Sequence, residues 1–232
     1  MTTRALIVGA GGLGGPLAFA LGGAKLELTI VDHDLVEVSN LHRQIQFTAA
    51  DIGQPKATRL AGAVVARGGT ARGVVAKWLT ATADELGADC DLIVDASDDP
   101  DTKFGIADWA VANGRSYVIA SALRYGGNVF GGAPGVACYR CLFEDPVDAP
   151  TCAEAGVLGP VVGAIGGVAA AIALGLVAND RTYAGALFAF DDLRKVAEPR
   201  VVRFGPRADC PACMRAPISP LAAQPLRMAE NS

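Results

Sequence analysis

Three groups of residues in this 232-residue chain have types and spacings suited to chemistry. The first is Gly9-Ala10-Gly11-Gly12-Leu13-Gly14, a G-x-G-x-x-G run. It sits between a short apolar stretch, Arg4–Val8, and a segment of helical pattern from Gly12 to Leu21. Such glycines make a tight turn, let backbone N–H groups approach phosphate, and let helix and strand pack closely. The helix N-terminus adds partial positive charge toward the anion. Asp32 closes the next apolar stretch, Leu26–Val31, where an acidic residue can hold ribose hydroxyls. The pattern predicts nucleotide binding without choosing among NAD, FAD and ATP.

The second group is charged. Arg43 and Lys56 flank Asp51-Ile52-Gly53. Two cations beside a phosphate turn would neutralise the β- and γ-phosphates of a triphosphate, whereas a dinucleotide needs fewer. The same spacing also suits two surface charges on a long loop. Asp95-Ala96-Ser97-Asp98-Asp99 follows the apolar Leu92–Val94. A carboxylate at the carboxyl end of a strand can hold Mg²⁺ together with phosphate oxygens and water. Acidic residues ahead of Pro100 also suit a helix N-cap. Asp98 is the metal candidate, and Asp95 is expected to be buried and structural.

The third group is six cysteines. Cys138-Tyr139-Arg140-Cys141 and Cys210-Pro211-Ala212-Cys213 are two C-x-x-C pairs that could complete one closed Cys₄ zinc site. Its role would be structural, tying the far end of the chain to its middle. Four reduced thiols fit a cytoplasmic location. Cys152 stands apart, before an apolar helix, where a thiol can have a lowered pKa. Its position alone favours an inert buried cysteine. Cys90 is expected to fill core.

These groups must be positioned by alternating elements. Helices are expected over Pro55–Ala66 and Pro100–Asn113, with strands at Ala71–Ala76, Leu92–Val94 and Tyr117–Ala122. Alternation of this kind predicts an α/β, Rossmann-like, doubly wound and mostly parallel sheet. Beyond Gly126 the strands look irregular until an apolar helix near 160–178. Late strands are expected at Ala184–Phe190 and Val201–Phe204, and residues 215–232 as a flexible tail.

Composition narrows the functions. Hydrophobic residues make up 51% of the chain and charged residues 19%, which excludes wholesale disorder. The net charge is −4 and no basic stripe stands out, which argues against nucleic acid as a partner. Two uncharged runs invite a membrane reading. Ala5–Ala24 contains Ala18-Phe19-Ala20, like a signal-peptidase site, but seven glycines interrupt it. Ala155–Ala178 is long enough to span a bilayer, but no Lys/Arg cluster or aromatic belt flanks it. Both are expected to be parts of a compact fold, with no membrane partner.

Together the segments resemble the ThiF/MoeB family of ubiquitin-activating-type adenylyltransferases. The resemblance is carried by VGAGGLGG at 8–15, VDHDLVEVSNLHRQIQF at 31–47, DIGQPKA at 51–57, VDASDD at 94–99 and ASALRYGGNVF at 120–130. CYRCLFEDP at 138–146, TCAEAGVLGPVVGAIGG at 151–167 and CPAC at 210–213 extend it. It covers residues 1–214 as one adenylation domain. It implies ATP, Mg²⁺ and Zn²⁺, and a small ubiquitin-like sulfur carrier protein ending in Gly-Gly. The carrier's terminal carboxylate would attack the α-phosphate and release pyrophosphate.

By the same resemblance, Gly9, Gly11, Gly12, Gly14, Asp32, Asn40, Arg43, Gln44, Lys56 and Asp98 surround the nucleotide. Asp32 would bind ribose, Arg43 and Lys56 the phosphates, and Asp98 Mg²⁺, with Cys152 as a candidate thiol for sulfur or acyl transfer. A homodimer is implied as well. The sequence departs from the family in two places. Met1, Thr2 and Thr3 alone precede the strand region, where relatives carry a helix whose Arg enters the partner's ATP site. Lys103 stands where many relatives have Arg. The missing Arg motivates an alternative, a carrier-binding scaffold with weak turnover. An NAD-dependent oxidoreductase is a third reading, opposed by Arg43 and Lys56. No rhodanese-like domain follows Met214, so sulfur would come from a separate donor protein.

Overall fold

The computed structural model describes residues 2–146, 156–195 and 198–213. An eight-stranded sheet runs through the molecule in the order β3-β2-β1-β4-β5-β6-β7-β8. The strands are β1 (Arg4–Val8), β2 (Glu27–Val31), β3 (Thr70–Val74), β4 (Leu92–Asp95), β5 (Ser116–Leu123), β6 (Gly126–Gly132), β7 (Ala186–Phe190) and β8 (Arg200–Arg203). The first five are parallel, and β6, β7 and β8 continue the sheet antiparallel. The order 3-2-1-4-5 reverses between β1 and β4, and ligands bind in the crevice at such a switch point.

The strands alternate between two cores. On one face Ala5, Ile7, Leu92, Val94, Val118 and Ala120 pack against α1 (Gly14–Gly23), α2 (Lys56–Val65) and α6 (Gly159–Val177). On the other, Leu6, Val8, Ile93, Tyr117 and Ile119 pack against α3 (Ala83–Gly87) and α4 (Pro100–Ala112). A short α5 (Tyr139–Leu142) lies beside α4. Covering both faces requires strands that are apolar on both sides, as β4 is, with all four residues buried.

Most expected elements are present with ends shifted by no more than two residues. α1 starts at Gly14, because Gly11–Leu13 are used in the turn. Pro55 caps α2 from an extended backbone instead of starting it. Asp99 is the N-cap of α4, its carboxylate accepting from the Thr102 amide, with Pro100 in the first turn. The irregular stretch after Gly126 is a full strand, β6. Ala5–Ala24 resolves into β1, the turn and α1. The second uncharged run contains α6, long and apolar enough to cross a membrane; half of its most apolar 18-residue window is buried in the fold. Residues 214–232 and Cys152 lie outside the described residues.

Candidate nucleotide and zinc sites

At the switch point the carboxyl ends of β1, β2 and β4 open on a cleft of about 650 Å³. Gly9, Gly11 and Gly12 line its floor. The Gly9 amide donates to the Val31 carbonyl at 2.8 Å, which hooks the turn onto β2. Asp32 Oδ2 accepts from the Ala10 amide at 2.7 Å, and Oδ1 accepts from the Asp34 amide at 2.8 Å. Asp32 therefore shapes the turn, and each of its oxygens keeps lone pairs for a hydroxyl donor. Gly14 does not line the cleft. It packs against the Gly9 carbonyl, so its part is to bring α1 close to β1.

The long segment after β2 supplies the polar wall. Asn40, Arg43, Gln44 and Lys56 all border the cleft, as do Asp32 and Asp98. Lys56 is only 7% exposed, and its ammonium lies 2.8 Å from Asp34 Oδ2. Although partial burial opposes it, the Lys56 ammonium holds the Asp34 carboxyl below its ordinary range. The Arg43 guanidinium donates to the Ser39 carbonyl at 3.0 Å, leaving most of its donors available. Asn40 Oδ1 and Gln44 Oε1 are buried and have no hydrogen-bond partner among the described residues. Buried polar atoms are nearly always paired, so two unmet acceptors in a cleft wall mark a place for a ligand's donors.

Lys77 and Trp78, just beyond β3, complete the cleft on one side. On the other stand Ser121 and Leu123 of β5 and Tyr139 of α5. Asp98 is exposed at the rim and takes part in no hydrogen bond or ion pair among the described residues. A free carboxylate beside a phosphate turn fits a Mg²⁺ ion that shares phosphate oxygens and water. Asp95 is fully buried, with Lys103 against it at 2.6 Å.

Gln46 is a residue that sequence reasoning missed. Its buried amide donates to the Ala10 and Gly11 carbonyls, at 2.8 Å each, and pins the turn from below. Its position in the run after Arg43 carries no chemical signal; only the packing of the loop under the turn shows its use. A Cβ on Gly15 would push the Gln46 amide out of this place.

The four paired cysteines meet beside α5, whose N-cap is Cys138. Cys138 Sγ lies 3.7, 3.5 and 3.1 Å from the sulfurs of Cys141, Cys210 and Cys213. Cys141 and Cys213 are 3.5 Å apart. Tetrahedral zinc with Zn–S bonds of about 2.3 Å places sulfurs roughly 3.8 Å apart, so the cluster fits after a small expansion. The Arg207 amide donates to Cys141 Sγ at 3.4 Å, as suits a thiolate ligand. The knuckle is bolted to α4: Arg140 pairs with Asp108 at 2.7 and 2.9 Å and lies over the Phe104 ring. Cys90 is separate and buried, and burial pushes its thiol up to about 11, in keeping with a core filler.

A family model matches this chain over residues 1–212, and that family is ThiF. The adenylyltransferase and sulfurtransferase MOCS3 of Sus scrofa is 40% identical over 227 residues, covering 93% of this chain and 49% of the relative. The sulfur carrier protein adenylyltransferase of Thermus thermophilus is 36% identical over 222 residues, covering 90% of this chain and 81% of that protein. The chain thus spans about half the length of the MOCS3 relative and most of the bacterial one. In fold it resembles the crystal structure of E. coli MccB with ATP, with a TM-score of 0.77 at 17% identity over 91% of this chain and 66% of that one. A glycine turn at a Rossmann switch point and a four-thiol knuckle stand within a match that runs nearly end to end, and the chain belongs to the ThiF family.

Proposed function

We propose that this protein adenylates the C-terminal Gly-Gly carboxylate of a small ubiquitin-like sulfur carrier protein, using ATP. The observation that carries the reading is the cleft itself. A glycine turn, Arg43, Lys56, two amide oxygens and the Asp98 carboxylate converge at one strand switch point, the last three groups unpaired among the described residues. A carboxylate oxygen of the carrier attacks the α-phosphorus. The bond from that phosphorus to the bridging oxygen of the β-phosphate breaks, giving an acyl-adenylate and pyrophosphate. The carrier's carboxylate is ionised at neutral pH, so no base of unusual pKa is required. The chain's work is to align the tail with the α-phosphate and to neutralise charge building on pyrophosphate.

In this reading Lys56 and Arg43 hold the β- and γ-phosphates. Lys56 shares its ammonium between Asp34 and the phosphates, so Asp34 keeps it aimed while the nucleotide is absent. Asp32 takes the ribose hydroxyls. Asp98 holds Mg²⁺, which would screen phosphate charge. The knuckle would hold structural Zn²⁺. Cys152 is proposed as a thiol for later sulfur or acyl transfer, and a separate protein would donate the sulfur. The protein is proposed to act in the cytoplasm.

A homodimer is proposed from the surface. α6 turns Pro160, Ala164, Gly167 and Ala171 outward, without a charge. Its first residue packs on His42 and Arg43, in the same loop where Val38 and Ile45 are each 70% exposed. A second copy seated there would lie next to the nucleotide cleft.

The test is carrier-dependent exchange of labelled pyrophosphate into ATP. Wild type is expected to exchange only with a carrier ending in Gly-Gly, and Lys56→Ala is expected to lose at least about a hundredfold in kcat/KM. ATP binding without any exchange would reduce the protein to a carrier-binding scaffold. NAD binding in place of ATP would overturn the reading altogether.

A further inference from the structure

Lys103 is 7% exposed, and its ammonium makes three short contacts with oxygen. It donates to Asp95 Oδ2 at 2.6 Å, to the Ser97 carbonyl at 2.7 Å and to the Ala120 carbonyl at 2.8 Å. An ammonium has three N–H donors and no more, so the group is saturated and has none to spare for a ligand. Asp95 ends β4, and its other oxygen accepts from the Ser97 hydroxyl at 2.6 Å and the Ser97 amide at 3.2 Å. Ala120 lies in β5, one residue before Ser121 at the cleft wall. Lys103 therefore ties together the loop after β4, the end of β4 and the middle of β5.

That loop reaches Asp98 one residue after Ser97. It is held at its start by the Ala96 amide, which donates to the Val8 carbonyl at 2.8 Å, and past its end by the Asp99 cap on α4. Between those points the hydrogen bonds that restrain it among the described residues are those of the Ser97 carbonyl and those from Ser97 to Asp95, and Lys103 contacts both Ser97 and Asp95. The same loop backs the glycine turn: a Cβ on Gly9 would stand 2.8 Å from the Ala96 carbonyl carbon.

We infer that Lys103 is a positioning residue, whose ammonium tethers the Ser97 carbonyl so that the Asp98 carboxylate is presented to the Mg²⁺ of a bound nucleotide. The inference rests on the assignment of Asp98 above. Groups that orient a metal ligand from behind change metal affinity roughly 10–100-fold when removed. The buried carboxylate of Asp95 has its own part, as the anion that makes a buried ammonium tolerable.

The experiment compares wild type, Lys103→Met and the double variant Asp95→Asn with Lys103→Met. The single variant strands a buried carboxylate and tests stability. The double variant removes both charges, so it is expected to fold. A non-hydrolysable ATP analogue is titrated by calorimetry over a range of Mg²⁺ concentrations, and amide hydrogen exchange is followed at residues 96–99. The double variant is expected to bind the Mg²⁺-free analogue within about twofold of wild type, but to need at least about tenfold more Mg²⁺ for half-saturation. Its amides at 96–99 are expected to exchange faster. An unchanged Mg²⁺ requirement with unchanged exchange would overturn the role of Lys103 alone. Analogue binding by wild type and Asp98→Asn that is equally indifferent to Mg²⁺ would overturn the Asp98 assignment, and the inference with it.

Discussion

The loop that delivers Arg43 and Lys56 to the cleft turns on Asp51, a buried carboxylate. Asp51 Oδ2 accepts from the Thr48 amide at 2.8 Å and the Thr48 hydroxyl at 3.0 Å, and Arg59 pairs with Oδ1. The Thr48 amide, against an opposing cost of burial and with help from the Thr48 hydroxyl and Arg59, holds the Asp51 carboxyl below its ordinary range. A carboxylate depressed in the folded state stabilises fully above its unfolded pKa of about 3.9, and that stabilisation is lost as pH falls through the lower folded value. Asp51→Asn is expected to cost about 1–3 kcal/mol at neutral pH. In denaturant melts at stepped pH, the gap between variant and wild type should close below roughly pH 4. A gap of the same size at acid pH would show that shape, not charge, makes Asp51 useful. Asp51 could be seen in the sequence only as part of a spacer between two cations; its role needs Thr48 and Arg59 in place.

At the scale of elements, the β1–α1 turn depends on its neighbour, the loop after β4. Gly9 has a φ of +99°, in the region that side chains rarely adopt. An added Cβ would also stand 2.8 Å from the Ala96 carbonyl carbon and oxygen. Gly9→Ala combines backbone strain with overpacking, each of about 1–3 kcal/mol, and is expected to destabilise by roughly 2–5 kcal/mol. It should also weaken nucleotide binding, checked by thermal melts with and without ATP. A variant with wild-type stability and binding would mean that the turn yields easily. The requirement for glycine was legible from G-x-G-x-x-G, but its partner in the loop after β4 was not. β6 shows the opposite case. GGNVFGG has poor strand propensity, yet the strand forms between β5 and β7 because its glycines make room for neighbours. Gly127 faces Ile165 of α6 and Gly132 faces the Tyr117 ring, so tertiary packing overrode local preference.

At the scale of the molecule, the cysteine knuckle joins the chain after β6 to the chain after β8. Cys138 follows six residues after Gly132, and Cys210 seven after Arg203, so one ion would close the antiparallel half of the sheet. Structural zinc contributes folding energy directly. Chelation is expected to lower the melting temperature by several degrees, with recovery on adding Zn²⁺ and about one zinc per chain by elemental analysis. Cys210→Ser should mimic chelation. Zinc-free protein that melts like the native form would remove the structural role. Because Arg140 pairs with Asp108 on α4, loosening of the knuckle should reach the helix that carries Lys103.

The sequence by itself determined the glycine turn, the α/β alternation and the two C-x-x-C pairs, since each is encoded by residue types at fixed short spacings. It also singled out Asp95 as structural and Asp98 as a metal candidate. Tertiary structure alone decided who meets whom across the sheet. It paired Lys56 with Asp34, placed Gln46 beneath the turn, and gave Lys103 its three oxygens from two strands and a loop. Those contacts join residues 6 to 36 positions apart. No local periodicity reports such distances, because they arise only when parallel strands bring their carboxyl ends to one edge.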